Sequence, residues 1–287
     1  MERIGIAVSG GPTPKEIVDL VVLAESLGYE SAWIAEGHGG DQFAVLAACA
    51  ARTSRIRLGT AISSVFVRTA PTIAMAASSI AEISGGRFVL GLGTQVKAHN
   101  ERRFSVPWAP PGPRLRDYIA CMRAIWDSWQ NGTKPNYEGE YYQYRLTSPF
   151  FNPGPIDHPE IPVIISAVNP FNARLAGEVC DGIAIHGFST FRYIREVLIP
   201  AVHEGARRAG KDPASLHVNG GGFVVTGRTP DEVHEALERT RRQVSFYAST
   251  RSYANVMKTH GWDDEASQLH RLSIEARWDD MAAVITD

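Results

Sequence analysis

The sequence predicts an α/β fold, a (β/α)8 barrel of the TIM type with an insertion after the fourth strand. Three observations carry this prediction. Short apolar runs alternate with segments of helical period, and the connections between them are short, as in parallel βα units. No GxGxxG follows the first strand, and the nearest run, Gly91-Leu92-Gly93, has Val96 where the third glycine belongs, so an open dinucleotide-binding sheet is disfavoured. The 287 residues are a size that α/β barrels reach as one domain, and 1–287 reads as a single domain.

Taken in order, Ile4–Val8 is a buried strand, and Gly10-Gly11-Pro12 makes a turn. Thr13 caps the first helix, with Pro14 at its first position and Glu16 three residues on. Ile17, Leu20, Val21, Ala24 and Leu27 recur at helical spacing, and Gly28 ends the helix. Ser31–Ala35 is the second strand and Asp41–Arg52 an alanine-rich helix. Ile56–Ile62 is the third strand, Ala70–Ile83 the third helix, and Arg87–Gly91 the fourth strand. The rhythm then breaks into a proline-rich loop, Gly93–Pro113, which holds His99, Arg102, Arg103 and Trp108. Arg114–Gln130 is helical, and the aromatic stretch Thr133–Pro155 reads as a hairpin and loop, so the insertion covers about 93–160. Strand Val163–Ala167, helix Pro170–Val179, strand Gly182–His186 and helix Phe191–Ala209 restore the alternation. A seventh strand falls within Leu216–Thr226, and helices follow, the first over Asp231–Tyr247. A closed barrel wants eight strands; the eighth is not evident before the chain end.

Composition narrows the function. Lys and Arg total 29 against 31 Asp and Glu, a net charge of −2, without the excess of basic residues that a nucleic-acid surface needs. No window approaches the roughly 18–20 apolar residues of a membrane span. Cys49, Cys121 and Cys180 are odd in number and widely spaced, which fits reduced thiols in a cytoplasmic protein better than disulfides or zinc. The histidines show no ligand spacing, and GxSxG is absent.

In a barrel the site lies at the carboxyl ends of the strands. That rule selects Trp33–His38, Thr60–Ser64, Gly91–Gln95, Ser166–Asn169 and His186. Glycines and small polar residues there let a ligand approach backbone N–H groups, and the Val168–Phe171 turn before a helix could cradle a phosphate. His38 suits general acid–base chemistry near neutrality, or is a loop residue satisfied by hydrogen bonds. Glu36 could orient it or pair with a basic side chain. His186 is either a packed rim residue or a contact. A site of small residues with one acid–base candidate suits a bound cofactor that performs the reaction itself.

The block Ile56-Arg57-Leu58-Gly59-Thr60-Ala61-Ile62, with Pro71 and Gly85-Gly86-Arg87-Phe88-Val89-Leu90-Gly91-Leu92-Gly93-Thr94-Gln95, resembles the bacterial luciferase-like monooxygenase superfamily, as do Trp33–His38 and Ala176–Gly182. The stretch Gly93–Phe104 resembles its branch that uses coenzyme F-420, an 8-hydroxy-5-deazaflavin. The resemblance implies a deazaflavin at the barrel mouth and a non-prolyl cis peptide at Ala61-Ile62. By the same match Ser64 lies by the ring, Thr94, Gln95 and His99 contact ring or tail, and Ala167, Val168 and Asn169 form the phosphate turn. His38 matches the family histidine after strand 2. Two departures set the chain apart from the family's sugar-phosphate dehydrogenases: Gly37 replaces the Asp before that histidine, and Val96 replaces a catalytic Glu.

The function so implied is hydride transfer between the deazaflavin and a small organic substrate, with His38 as acid/base and Glu36 in support. An FMN-dependent monooxygenase of the same superfamily is the alternative; a non-catalytic deazaflavin-binding protein is a further one. A homodimer is the family's habit. Trp108, the Tyr137–Phe151 insertion and the C-terminal helices would wall the substrate pocket.

Overall fold

A computed structural model describes residues 4–8, 11–36 and 40–286, which divide into two compact units, 1–166 with 179–182, and 167–178 with 183–287. The first unit begins with β1 (Gly5–Val8) and α1 (Pro14–Ser26). Thr13 and Glu16 close the capping box, which satisfies two N–H groups that a helix start leaves unpaired. β2 (Ser31–Ile34) leads to α2 (Gln42–Arg52), whose cap is Asp41; its Oδ1 accepts the Phe43 and Ala44 N–H groups at 2.9 and 3.1 Å.

The predicted third strand is broken. β3 (Arg57–Thr60) stops two residues short of Ile62, and a two-residue β4 (Ser63–Ser64) takes over. Next come α3 (Ala70–Ser84) and β5 (Phe88–Gly93). Every residue of β5 is buried, as in a parallel strand covered on both faces. Arg87, just before it, binds the Ile56, Thr53 and Ala50 carbonyls and the Ser84 carbonyl, so it satisfies acceptors left at the ends of α2 and α3. α4 (Pro111–Asn131) starts three residues earlier than predicted, because Pro111 and Pro113 are tolerated in a first helical turn. A hairpin, β6 (Tyr137–Glu138) with β7 (Gln143–Tyr144), precedes β8 (Val163–Ala167). The parallel order is β1-β2-β3-β5-β8, with β4 also beside β5.

The second unit holds α5 (Pro170–Val179), β9 (Gly182–Ile185), the short α6 (Phe191–Tyr193), α7 (Ile199–Arg208) and β10 (His217–Gly220). The predicted seventh strand shrinks to β10, and residues 221–227 carry no regular structure. α5 and α7 cross closely: a Cβ on Gly177 would stand 2.1 Å from the Val202 carbonyl, and one on Gly205 2.0 Å from that of Arg174. α8 (Pro230–Ala248), α9 (Ala254–His260), α10 (Asp263–Ile274) and α11 (Trp278–Val284) complete the unit, with α8 packed on α10 and α11. No helix among the described residues is long and apolar enough to cross a membrane.

Candidate functional site at the strand ends

Pairing register brings the carboxyl ends of the first unit's strands side by side: Ile34 stands opposite Thr60, and Ser64 opposite Gly93. Glu36, two residues past β2, joins them. Its Oε2 accepts the Ser64 N–H at 2.6 Å, and its Oε1 accepts from Nη1 of Arg68. The other arm of Arg68 donates to Asp41 Oδ2 at 2.9 Å, and its guanidinium lies 5.1 Å from the centre of the Phe43 ring. The Arg68 and Glu36 side chains are only 18% and 15% exposed, so the pair is held largely out of water. The reading in which Glu36 pairs with a basic side chain is therefore the one observed, and Arg68, which sequence reasoning missed, is its partner. His38 and Gly37 lie outside the described residues.

Between β3 and β4 the Ala61-Ile62 peptide is cis. At this break the Thr60 hydroxyl donates to the Gly91 carbonyl at 2.6 Å and accepts the Gly91 N–H at 2.8 Å. A Cβ on Gly91 would fall 2.0 Å from the Thr60 carbonyl oxygen, and one on Gly93 2.3 Å from Cδ1 of Ile62. A side chain at either glycine would collide with Thr60 or Ile62. Ser63 and Ser64 are fully buried, yet neither hydroxyl has a hydrogen-bond partner among the described residues.

After β5, Gln95 takes a left-handed conformation (φ 53°), and His99 is exposed in the turn His99–Arg103. Asn100 is buried and clamps this turn through Nδ2, which donates to the Thr94 carbonyl at 2.9 Å. Alongside, Asp117 accepts the Tyr142 N–H at 3.0 Å, the Tyr141 N–H and the Tyr137 hydroxyl, which fastens the hairpin to α4. Arg114 stacks on Phe66, 4.2 Å from the ring centre, and donates to the Tyr142 hydroxyl. Tyr118 packs edge-on against Tyr142 and donates to the Arg68 carbonyl at 3.1 Å. The insertion thus reaches Arg68 through an aromatic chain that no local motif announces.

In the second unit, Ala167 is buried and Val168 offers its carbonyl to the Tyr193 hydroxyl at 2.7 Å. Asn169 accepts the Asn172 N–H at 2.9 Å at the start of α5. His186 sits among aromatic rings, 4.5 Å from Tyr247 and 4.9 Å from Tyr253, and its Nδ1 accepts the Phe188 N–H at 3.1 Å. Burial pushes its pKa down to about 4.

The unpartnered Ser63 and Ser64 hydroxyls are the feature a bound ring system would satisfy, since buried polar groups otherwise find partners. On that observation the residues fit a flavin-type group. Polar side chains gathered at the carboxyl ends of parallel strands define the class, an α/β protein of the TIM-barrel type. The chain belongs to the luciferase-like monooxygenase family, whose model matches residues 2–287.

Relatives refine the setting. An uncharacterised protein of Mycobacterium tuberculosis (strain H37Rv) is 39% identical over 280 residues, covering 96% of this chain and 82% of that one. A coenzyme F-420-dependent glucose-6-phosphate dehydrogenase of Nocardia farcinica is 34% identical over 220 residues, covering 71% and 62%. The solved coenzyme F-420-dependent tetrahydromethanopterin reductase of Methanopyrus kandleri superposes with a TM-score of 0.81 over 99% of this chain and 83% of that one; at 24% identity this likeness shows the fold.

Proposed function

We propose that this protein is a coenzyme F-420-dependent oxidoreductase acting on a small organic substrate. The observation that supports it most is the pair of buried, unpartnered hydroxyls at Ser63 and Ser64, beside the fixed Glu36–Arg68 pair. The naming of similar proteins as F-420-dependent points the same way. When bound, the deazaflavin supplies two-electron hydride chemistry at its carbon 5.

The chain's own residues do the rest. Ala61, Ile62 and Ser64 would hold the ring, and Thr94, Gln95 and His99 would contact ring or tail. In the second unit, Ala167, Val168 and Asn169, just before α5, would offer their backbone N–H groups to a phosphate. Glu36 is a positioning residue: it fixes the Ser64 backbone and is itself fixed by Arg68. His38 exchanges the accompanying proton with a substrate hydroxyl, carbonyl or imine, a role that an imidazole suits.

Parallel fluorescence titrations with oxidised F-420 and with FMN test the cofactor. Micromolar or tighter F-420 binding with weak FMN binding supports the reading; the reverse preference overturns it in favour of an FMN-dependent monooxygenase. In His38→Ala, turnover falls about 10²–10⁴-fold with little change in cofactor affinity. Unchanged turnover rejects His38.

A further inference from the structure

Gln42 occupies the first position of α2, next to the Asp41 that caps the helix and pairs with Arg68. Its side chain is 1% exposed, and neither Oε1 nor Nε2 has a hydrogen-bond partner among the described residues. The other buried residues of α2 are Phe43, Val45, Leu46, Cys49 and Ala50, so the amide is set into an apolar face. A buried carboxamide without a partner is costly, and an apolar side chain of the same size would serve this face better. Among the described residues no group matches both atoms. Ser64, whose buried hydroxyl is likewise unpartnered, is tied to Asp41 beside Gln42 by bonds that run from Asp41 through Arg68 and Glu36 to the Ser64 N–H.

We propose that Gln42 is a ligand-binding residue whose carboxamide pairs with an amide-type edge, an adjacent N–H and C=O, of the bound molecule. Gln42 donates through Nε2 to the ligand carbonyl and accepts the ligand N–H at Oε1. Two sources carry that edge: the pyrimidinedione ring of the deazaflavin, or a substrate with an amide, imide or lactam group. The setting rests on the proposed function, and the test separates the two.

Gln42→Leu keeps the volume and removes both polar atoms. Without ligand its melting temperature is expected to rise, because an unpaired buried amide has been removed. Wild type and variant are then titrated with oxidised F-420, and with succinimide, a small imide, in the presence and absence of F-420. An F-420 Kd raised about 10- to 100-fold, the loss of two hydrogen bonds, assigns the edge to the cofactor. An unchanged F-420 Kd with loss of succinimide binding assigns it to the substrate. A fall in the ligand-free melting temperature overturns the proposal, since Gln42 then has a partner within the chain. Identical binding of both probes to wild type and variant also overturns it. Wild-type protein that fails to bind F-420 counts against the functional reading instead, and the succinimide titration of the ligand-free proteins then decides Gln42 alone.

Discussion

A single hydrogen atom at Gly91 decides how closely β3 and β5 approach. The Thr60 hydroxyl makes two bonds to the Gly91 backbone, and its carbonyl oxygen would lie 2.0 Å from a Cβ there. Such an overlap involves backbone on both sides, so neither partner can move aside as a flexible side chain could. Gly91→Ala is expected to destabilise the protein by about 1–3 kcal/mol, the usual cost of overpacking a buried position. A lower midpoint in urea with an unchanged slope is the expected result; an unchanged midpoint would show that the strands separate freely. This residue also shows how a sequence leaves a glycine's role open. A glycine at a strand end reads equally as room for ligand or room for a neighbour, and only the pairing of distant strands decides between them. Gln42 and Arg68 were not legible as site residues at all, because their meaning lies in partners about 30 positions away or in the lack of any.

At the scale of elements, most of the fold was legible. The apolar runs at Ser31–Ile34, Phe88–Gly93, Val163–Ala167 and Gly182–Ile185 fall where the alternation placed them, and the Thr13–Glu16 box marks its helix start. The break between β3 and β4 falls at the Ala61-Ile62 cis peptide, which the family resemblance placed there, although Ile56–Ile62 by itself reads as one strand. The hairpin was foreseen as a hairpin, but its anchor was not. Asp117 is 8% exposed and accepts three donors from β6–β7 and the turn between them. Burial, followed by the bond to Asp117, pushes the Tyr137 hydroxyl pKa up, so this donor stays protonated at ordinary pH. Asp117→Ala removes a charged acceptor and strands the Tyr141 and Tyr142 N–H groups. A loss of about 1.5–3 kcal/mol is expected, together with faster proteolysis near 137–144. Cleavage rates equal to wild type would show that the hairpin is held by its aromatic contacts alone.

For the whole molecule, the charged and titratable groups predict how stability depends on pH. His186 has its pKa pushed from 6.5 to about 4 by burial, so the unfolded chain binds a proton that the folded chain refuses between those values. The unfolded state then carries more protons, and stability must fall as pH drops from 6.5 towards 4, by roughly 3 kcal/mol at most. Carboxylates act lower down. Burial works against Glu25 and Asp41, but the Ile56, Arg55 and Ser54 N–H groups hold Glu25 below its ordinary 4.5, and the Ala44 N–H and Arg68 hold Asp41 below its ordinary 3.8. Their contribution is present above those values and is lost as pH falls through the depressed folded ones. Acid unfolding therefore has an early histidine stage and a later carboxylate stage. His186→Gln keeps an acceptor for the Phe188 N–H and removes the titration. Urea midpoints measured from pH 7 to 4 should slope less in His186→Gln than in wild type, while the decline below pH 4 stays the same in both. Equal slopes between pH 6.5 and 4 would mean that His186 takes up its proton in the folded protein without penalty, and that its aromatic surroundings admit water.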